Sequence, residues 1–187
     1  MVFGIFVNMI RTIHKAFSFR LYPTPEQEKN LASQFGQARF VYNFFLRKRI
    51  DYYAMNKGKE KQSLNYHDTA KMLTELKKHP DTIWLKESNS QSLQQSLRHL
   101  DNAYNNFFNN GFKFPNFKKK NRKQSFSIPQ NFDIDVETNR LYIPKLTSLR
   151  IILHREIEGQ MKSVTISKTP SGKYFASILC EVEKTIK

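Results

Sequence analysis

Residues 15–46 read KAFSFRLYPTPEQEKNLASQFGQARFVYNFFL, and the fold hangs on how this stretch divides. Phe17, Phe19 and Leu21 alternate with Ser18, Arg20 and Tyr22, the period of two that marks a half-buried strand. Tyr22-Pro23 ends it, because proline has no amide hydrogen for a ladder and biases its predecessor to extended backbone. Thr24-Pro25-Glu26-Gln27 then reads as a helix start, with Thr24 as N-cap, Pro25 in the first turn and Gln27 closing a capping box. Leu31, Phe35, Ala38, Tyr42 and Phe45 follow at three- and four-residue spacing, one apolar stripe along a helix.

Around this strand–helix unit the composition sets bounds. A chain of 187 residues can bury a real core. Its net charge of +15 repels itself unless a polyanion neutralises it, so nucleic acid is the partner to expect. The lone Cys180 can form no internal disulfide and lies in an alternating strand, where it reads as a buried structural thiol. A single cysteine fits a reducing cytoplasm, and no apolar run approaches the ~18 residues of a membrane span, so no membrane is expected. The opening MVFGIFVN has neither a basic start nor a small-residue cleavage site, which argues against a signal peptide.

Beyond the first helix, residues 54–62 are polar and contain Gly58, a loop. Asn65 caps a second helix from Tyr66 to about Lys78, ended by His79-Pro80, with Trp84 and Leu85 in a short linking turn. Leu93, Leu97, Leu100, Tyr104 and Phe107 pattern a further helix that stops at Asn109-Asn110-Gly111. Composition shifts there. Residues 111–123, GFKFPNFKKKNRK, carry six basic residues and no acidic one, interleaved with Phe112, Phe114 and Phe117. Strands are then expected near 126–128, 132–136, 140–143 and 149–154. A final hairpin pairs 163–168 with 173–183 about Thr169-Pro170-Ser171-Gly172. Strand 15–22 has no partner until residue 124 is passed, so the simplest arrangement closes the strands into a small barrel with the helices inserted.

The wording F-x-F-R-L-Y-P-T-x-E-Q followed by F-G-x-A-R-F-V-Y-N-x-F-L resembles the start of the TnpB (OrfB) family of transposon-encoded proteins. The resemblance continues through Leu64-Asn65-Tyr66, Trp84-Leu85, the helix around Leu93 to Phe108, Phe114-Pro115-x-Phe117-Lys118-Lys119-Lys120 and Leu179-Cys180-Glu181-Val182-Glu183. It covers nearly the whole chain from about Met9, where related sequences typically begin, so residues 1–8 are expected to be a leader. The family implies an α+β fold: an oligonucleotide-binding-like wedge β-barrel interrupted by a helical, helix-turn-helix-like recognition lobe. The expected division is 1–23, 24–110 for the lobe and 111–187 for the basic loop and remaining strands.

The basic–aromatic segment carries the clearest functional signal. Lys113, Lys118, Lys119, Lys120, Arg122 and Lys123 suit phosphate contact, which gives affinity without sequence information. The phenylalanines either stack on bases or pin the loop to the barrel; their density favours pinning. Arg39 pairs either with a nearby carboxylate or with an RNA backbone. Side chains able to bond base edges include Tyr66, Gln94, Ser90, Gln91 and Ser127. Each alone reads as an ordinary polar side chain facing solvent; the resemblance implies that these stretches flank a duplex motif beside the target.

No metal or cofactor is expected. Asp133, Asp135 and Glu137 alternate along one strand face but read as an exposed acidic edge leading into a turn, and the five histidines are scattered. The resemblance implies that family members cut DNA with a RuvC-like domain beginning in a G-x-D-x-G strand soon after C-E-V-E. This chain is therefore expected to lack cleavage and to be the binding half, with guide RNA from the transposon end and double-stranded DNA as partners. Three alternatives stand: a helix-turn-helix DNA-binding regulator that needs no RNA, the binding subunit of a split RNA-guided endonuclease, and a general basic RNA-binding protein with little sequence preference.

Overall fold

A computed structural model describes residues 9–186; the expected leader, 1–8, lies outside the described residues. In chain order it contains β1 (Met9–Tyr22), α1 (Pro25–Asn56), α2 (Tyr66–Leu76), a 3-10 turn (Pro80–Glu87), α3 (Ser90–Asn110), β2 (Gln124–Ile128), β3 (Asp133–Asp135), β4 (Arg140–Tyr142), β5 (Leu149–Ile152), β6 (Gln160–Lys168) and β7 (Tyr174–Ile186). The strands form one antiparallel sheet in the order β2-β6-β7-β1-β5-β4-β3. The protein is thus α+β, with every helix among the described residues inserted between β1 and β2.

The sheet curls but does not close. β2 and β3 are its two ends, and no ladder joins them among the described residues. Pro129 follows β2 directly and offers no amide hydrogen, Asn131 turns the chain at φ 62°, and β3 is three residues long. The expected closed barrel is therefore an open half-barrel.

β1 is held on both flanks, by β7 from Met9↔Ile186 to Leu21↔Tyr174 and by β5 at Arg20↔Ile152 to Tyr22↔Arg150. Its odd-numbered Phe17, Phe19 and Leu21 point into the core with Ala176, Ile178 and Cys180 of β7, so the period-two reading holds. Burial pushes the Cys180 thiol up from its ordinary range, which keeps it protonated and inert. The Thr169–Lys173 turn closes through Thr169 N to Lys173 O at 2.8 Å, and Gly172 supplies φ 82°.

α1 begins as expected. Thr24 Oγ1 accepts from Gln27 N at 3.3 Å, and Gln27 Oε1 accepts from Thr24 N at 3.0 Å. The Gln27 amide also donates to Thr147 Oγ1 and Ser148 O, so the cap ties helix to sheet. The helix runs to Asn56, past the point where a loop was expected, because Ala54, Met55 and Asn56 carry no breaker before Gly58. Its single apolar stripe serves two cores. Leu31, Phe35 and Ala38 pack with the sheet, whereas Val41, Tyr42, Phe45 and Leu46 pack with Leu73, Leu85, Leu93, Leu97 and Leu100. α1 is the beam on which both halves rest.

Asn65 and Asp68 form a reciprocal capping box on α2: Asp68 N donates to Asn65 Oδ1 at 3.1 Å and Asn65 N to Asp68 Oδ2 at 3.0 Å. The Lys61 ammonium at 2.7 Å, and then the Asn65 amide, hold the Asp68 carboxyl below its usual range. A depressed folded pKa gives stability that is present above the unfolded value of about 3.9 and is lost as pH falls through the folded value. Asp68→Asn is accordingly expected to lower the thermal midpoint near neutrality and to approach wild type as pH falls below the unfolded carboxylate value and through the lower folded one. Thermal melts across that range check it.

Candidate nucleic-acid interface

Where β1, β7, β6 and β2 lie side by side, the register sets one side chain from each in a row on the sheet's outer face: Ser18, Ser177, Thr165 and Ser127. Inward neighbours such as Phe19, Ile178, Ile166 and Phe126 fill the core, so alternation forces these hydroxyls outward. Ser127 Oγ and Thr165 Oγ1 are 2.8 Å apart and share a hydrogen. Ser163, on the far side of a β-bulge in β6, extends the hydroxyl surface.

α3 and the start of α2 wall this floor. Gln95, Arg98 and Asn102, spaced three and four apart, share a face of α3, and Tyr66 and His67 stand opposite at the N-terminus of α2. Together they bound a polar cleft of 720 Å³. The Arg98 guanidinium lies over the Tyr66 ring, 4.6 Å from its centroid, which fixes the tyrosine's orientation. Asp101, a carboxylate at the rim, is neutralised by Arg49 at 2.9 Å.

A second groove, of 410 Å³, opens at the other end of β2. Arg39, Lys118, Lys119, Arg122 and Lys123 line it without a carboxylate. Its shape depends on Gln124. That amide donates to the carbonyls of Lys119, Lys120 and Arg122 at 2.8, 3.0 and 2.9 Å, so the basic turn wraps around one side chain. Arg39 Nη1 donates to the same side chain's Oε1. One turn further along α1, Asn43 accepts from Lys118 N at 2.8 Å and donates to Lys118 O at 2.9 Å. Arg39 and Asn43 of the A-R-F-V-Y-N run therefore clamp the basic segment to α1. Arg39 is bonded to an amide and not to a carboxylate, so its charge is not cancelled.

Of the side chains expected to bond base edges, the fold brings Tyr66 and Ser127 into one cleft. Ser90, Gln91 and Gln94 lie nearer the start of α3, outside its lining. Ser90 accepts from Lys77 at 3.1 Å, Gln91 is half-buried with Oε1 unbonded, and Gln94 is exposed. Of the expected phosphate-binding cations, Lys113, Lys119, Lys120, Arg122 and Lys123 are exposed. Lys118 is not an outward cation: its ammonium sits 4.2 Å above the Tyr42 ring, and burial lowers its pKa. The phenylalanines also depart from expectation. Phe114 packs edge-on against Tyr104 and Phe107 of α3, and Phe117 lies under Arg47, so the loop is pinned to the helices and not to the sheet. Phe112 is exposed.

Gln95, Arg98, Asn102, Thr165, Ser177, Asn43 and Gln124 were not singled out from sequence. Two signals pointed to some of them. Gln95, Arg98 and Asn102 fall off the leucine stripe of α3, and serine or threonine occupies alternate positions at 125–127 and 163–167. Nothing local marks Gln124 as the hub of the basic turn. The acidic edge is as read: Asp135 Oδ1 accepts from Thr138 N at 3.0 Å, leading into a turn with Asn139 at φ 54°.

An insertion of helices into a curled sheet, a hydroxyl- and amide-lined cleft between them and a carboxylate-free basic groove define a nucleic-acid-binding protein. Residues 9–58 match the family model HTH_OrfB_IS605, described as a helix-turn-helix domain. The matched stretch folds here as one strand and one unbroken helix, so the two-helix geometry of that name is not found within it. A relative in Escherichia coli strain K12 carrying the name "Putative RNA-guided DNA endonuclease InsQ" is 39% identical over 170 residues, which are 90% of this chain and 41% of the relative. One in Streptomyces pristinaespiralis, "Putative RNA-guided DNA endonuclease", is 33% identical over 92% of this chain and 43% of its own length. "Virulence protein VsdF" of Salmonella dublin is 38% identical over 108 residues, 55% of this chain and 91% of that protein. The chain belongs to the TnpB (OrfB) family of transposon-encoded proteins. It spans about two-fifths of the length of the two endonuclease-named relatives.

Proposed function

We propose that this chain is the nucleic-acid-holding part of an RNA-guided system: it docks on a short duplex DNA motif in the polar cleft, holds a guide RNA along the basic groove, and contributes binding and not cleavage. The observation that carries the reading is the meeting of Tyr66, on a helix, with Ser127, on a strand, in one cleft lined by hydrogen-bonding groups. In such a division of labour the protein reads a short duplex motif and base pairing reads the target. The exposed cations supply salt-dependent affinity, while Tyr66 Oη and the amides of α3 offer bonds to base edges. β2 serves both sites, with Gln124 and Ser125 in the basic groove and Ser127 in the cleft. The relatives' names, which describe RNA-guided endonucleases, support this assignment.

The test is to purify the protein from its own host and sequence the RNA that accompanies it. One dominant transcript from the end of the element supports the reading; a featureless mixture released by moderate salt overturns it. With a duplex motif in hand, Tyr66→Phe keeps the ring under Arg98 and removes only the hydroxyl. It is expected to relax discrimination by about 1–3 kcal/mol at one base position, leaving the salt dependence unchanged. Competition titrations against single-base variants of the motif read this out.

A further inference from the structure

At the end of α3 away from the basic groove, Tyr53, Phe108 and Phe114 wall a pocket of 480 Å³. These aromatics are exposed to an unusual degree, Tyr53 by 48%, Phe108 by 69% and Phe114 by 43%. Apolar side chains left in water over a concave surface mark a binding site. The pocket is preorganised. Phe114 stands edge-on to both Tyr104 and Phe107, and the Arg49 guanidinium stacks 4.0 Å from the Tyr104 centroid while pairing with Asp101. The rim is not apolar: Ser63 and Asn105 place hydrogen-bonding groups beside the rings.

We propose that this pocket receives one unstacked nucleobase of a single-stranded RNA that lies along the basic segment, an inference that rests on the RNA-binding reading above. Two observations select this occupant. Phe114 is at once a wall of the pocket and a member of the basic segment, so a polyanion following Lys113 to Lys123 passes over the pocket's mouth. The pocket also adjoins the polar cleft, sharing Asn65 and Asp101 with it. An aromatic face flanked by amides suits a base, since every base offers a π-face to stack and an edge to bond. A second copy of the chain would bring +15 against +15 and is disfavoured on charge.

The experiment uses the full chain and a 12-nucleotide oligouridylate with one internal 5-iodouridine, irradiated and mapped by mass spectrometry. Crosslinks to Tyr53, Phe108 or Phe114 are expected. Phe108→Leu, which keeps an apolar side chain at an exposed position, is expected to weaken oligouridylate binding about tenfold with the salt slope unchanged, and Phe108→Tyr to preserve it. Crosslinks confined elsewhere, or wild-type affinity in Phe108→Leu with its melting temperature intact, overturn the proposal for the pocket alone. Self-association abolished by Phe108→Leu with RNA affinity unchanged assigns the pocket to a second copy and equally overturns it. Absence of any RNA binding by wild type overturns the RNA-binding reading together with this one.

Discussion

Gly159→Ala is expected to cost the fold more than about 3 kcal/mol, because of the five described glycines it alone lacks room for a methyl group. A Cβ there would collide with the carbonyl oxygen of Glu181 and come within 2.9 Å of its carbon. Both are backbone atoms of β7, so no rotamer change relieves the clash. The position also has φ 82°, which L side chains rarely adopt. Gly159 immediately precedes the pair Gln160↔Glu181, so the strand that must yield is the one that sets β6 against β7. Shifting that register disperses Thr165 and Ser177 from the hydroxyl row, and duplex affinity is expected to fall with stability. Gly58→Ala separates strain from collision: its φ is 83° with nothing within 4 Å of the added carbon, and it should cost only about 1 kcal/mol. Thermal denaturation of the two variants beside wild type checks the contrast.

The largest effect on binding is expected from replacing Lys119, Arg122 and Lys123 together by alanine. Each side chain is exposed, and the groove they line holds no carboxylate to cancel them. Cations that neutralise phosphates release counterions on binding, at about 0.7 per contact on a single strand. The triple variant should therefore flatten the slope of log RNA affinity against log salt by about 2.1. Between 50 and 200 mM salt it should forfeit about 20-fold less affinity than wild type does. Lys118→Ala is the internal control. Its ammonium over Tyr42 contributes packing, so it should lower the melting temperature and leave the slope nearly untouched. An unchanged slope in the triple variant would place the nucleic-acid backbone elsewhere on the molecule.

Much of the framework was legible in the chain because local physics dictates it. Thr24, Pro25 and Gln27 specify a helix start by satisfying amide hydrogens within four residues, and Asn65 as N-cap does the same for α2. Alternating Phe17, Phe19 and Leu21 specify a strand face, and Gly111 ends α3 in the left-handed conformation, φ 67°, that glycine tolerates. The excess of positive charge pointed to nucleic acid before any contact was known, because like charge in such quantity needs a counter-ion. Tyr66 and Ser127 were legible as candidates by residue type and by the family resemblance of the stretches that hold them, but not as partners in one cleft.

Tertiary structure decided what depends on residues far apart in the chain. The stripe on α1 gives no sign that its first turns belong to a sheet core and its later turns to a helical one; that division follows from where β2 and α3 return. Whether the sheet closes was likewise undetermined, since it turns on Pro129 and a three-residue β3 meeting, or failing to meet, across the curl. Lys118 and Lys119 are neighbours in an unbroken basic run, yet one is folded over Tyr42 and the other faces solvent, because Asn43 seizes the Lys118 backbone from α1. The hydroxyl row across four strands exists only through their register. Sequence by itself determined the segments, their ends and the sign of the partner's charge, all of which are fixed by forces acting over a few residues or by the sum of all charges. The interface required the fold, because it is built from side chains that alternate on strands and recur on a helix, and only long-range pairing brings those two periodicities face to face.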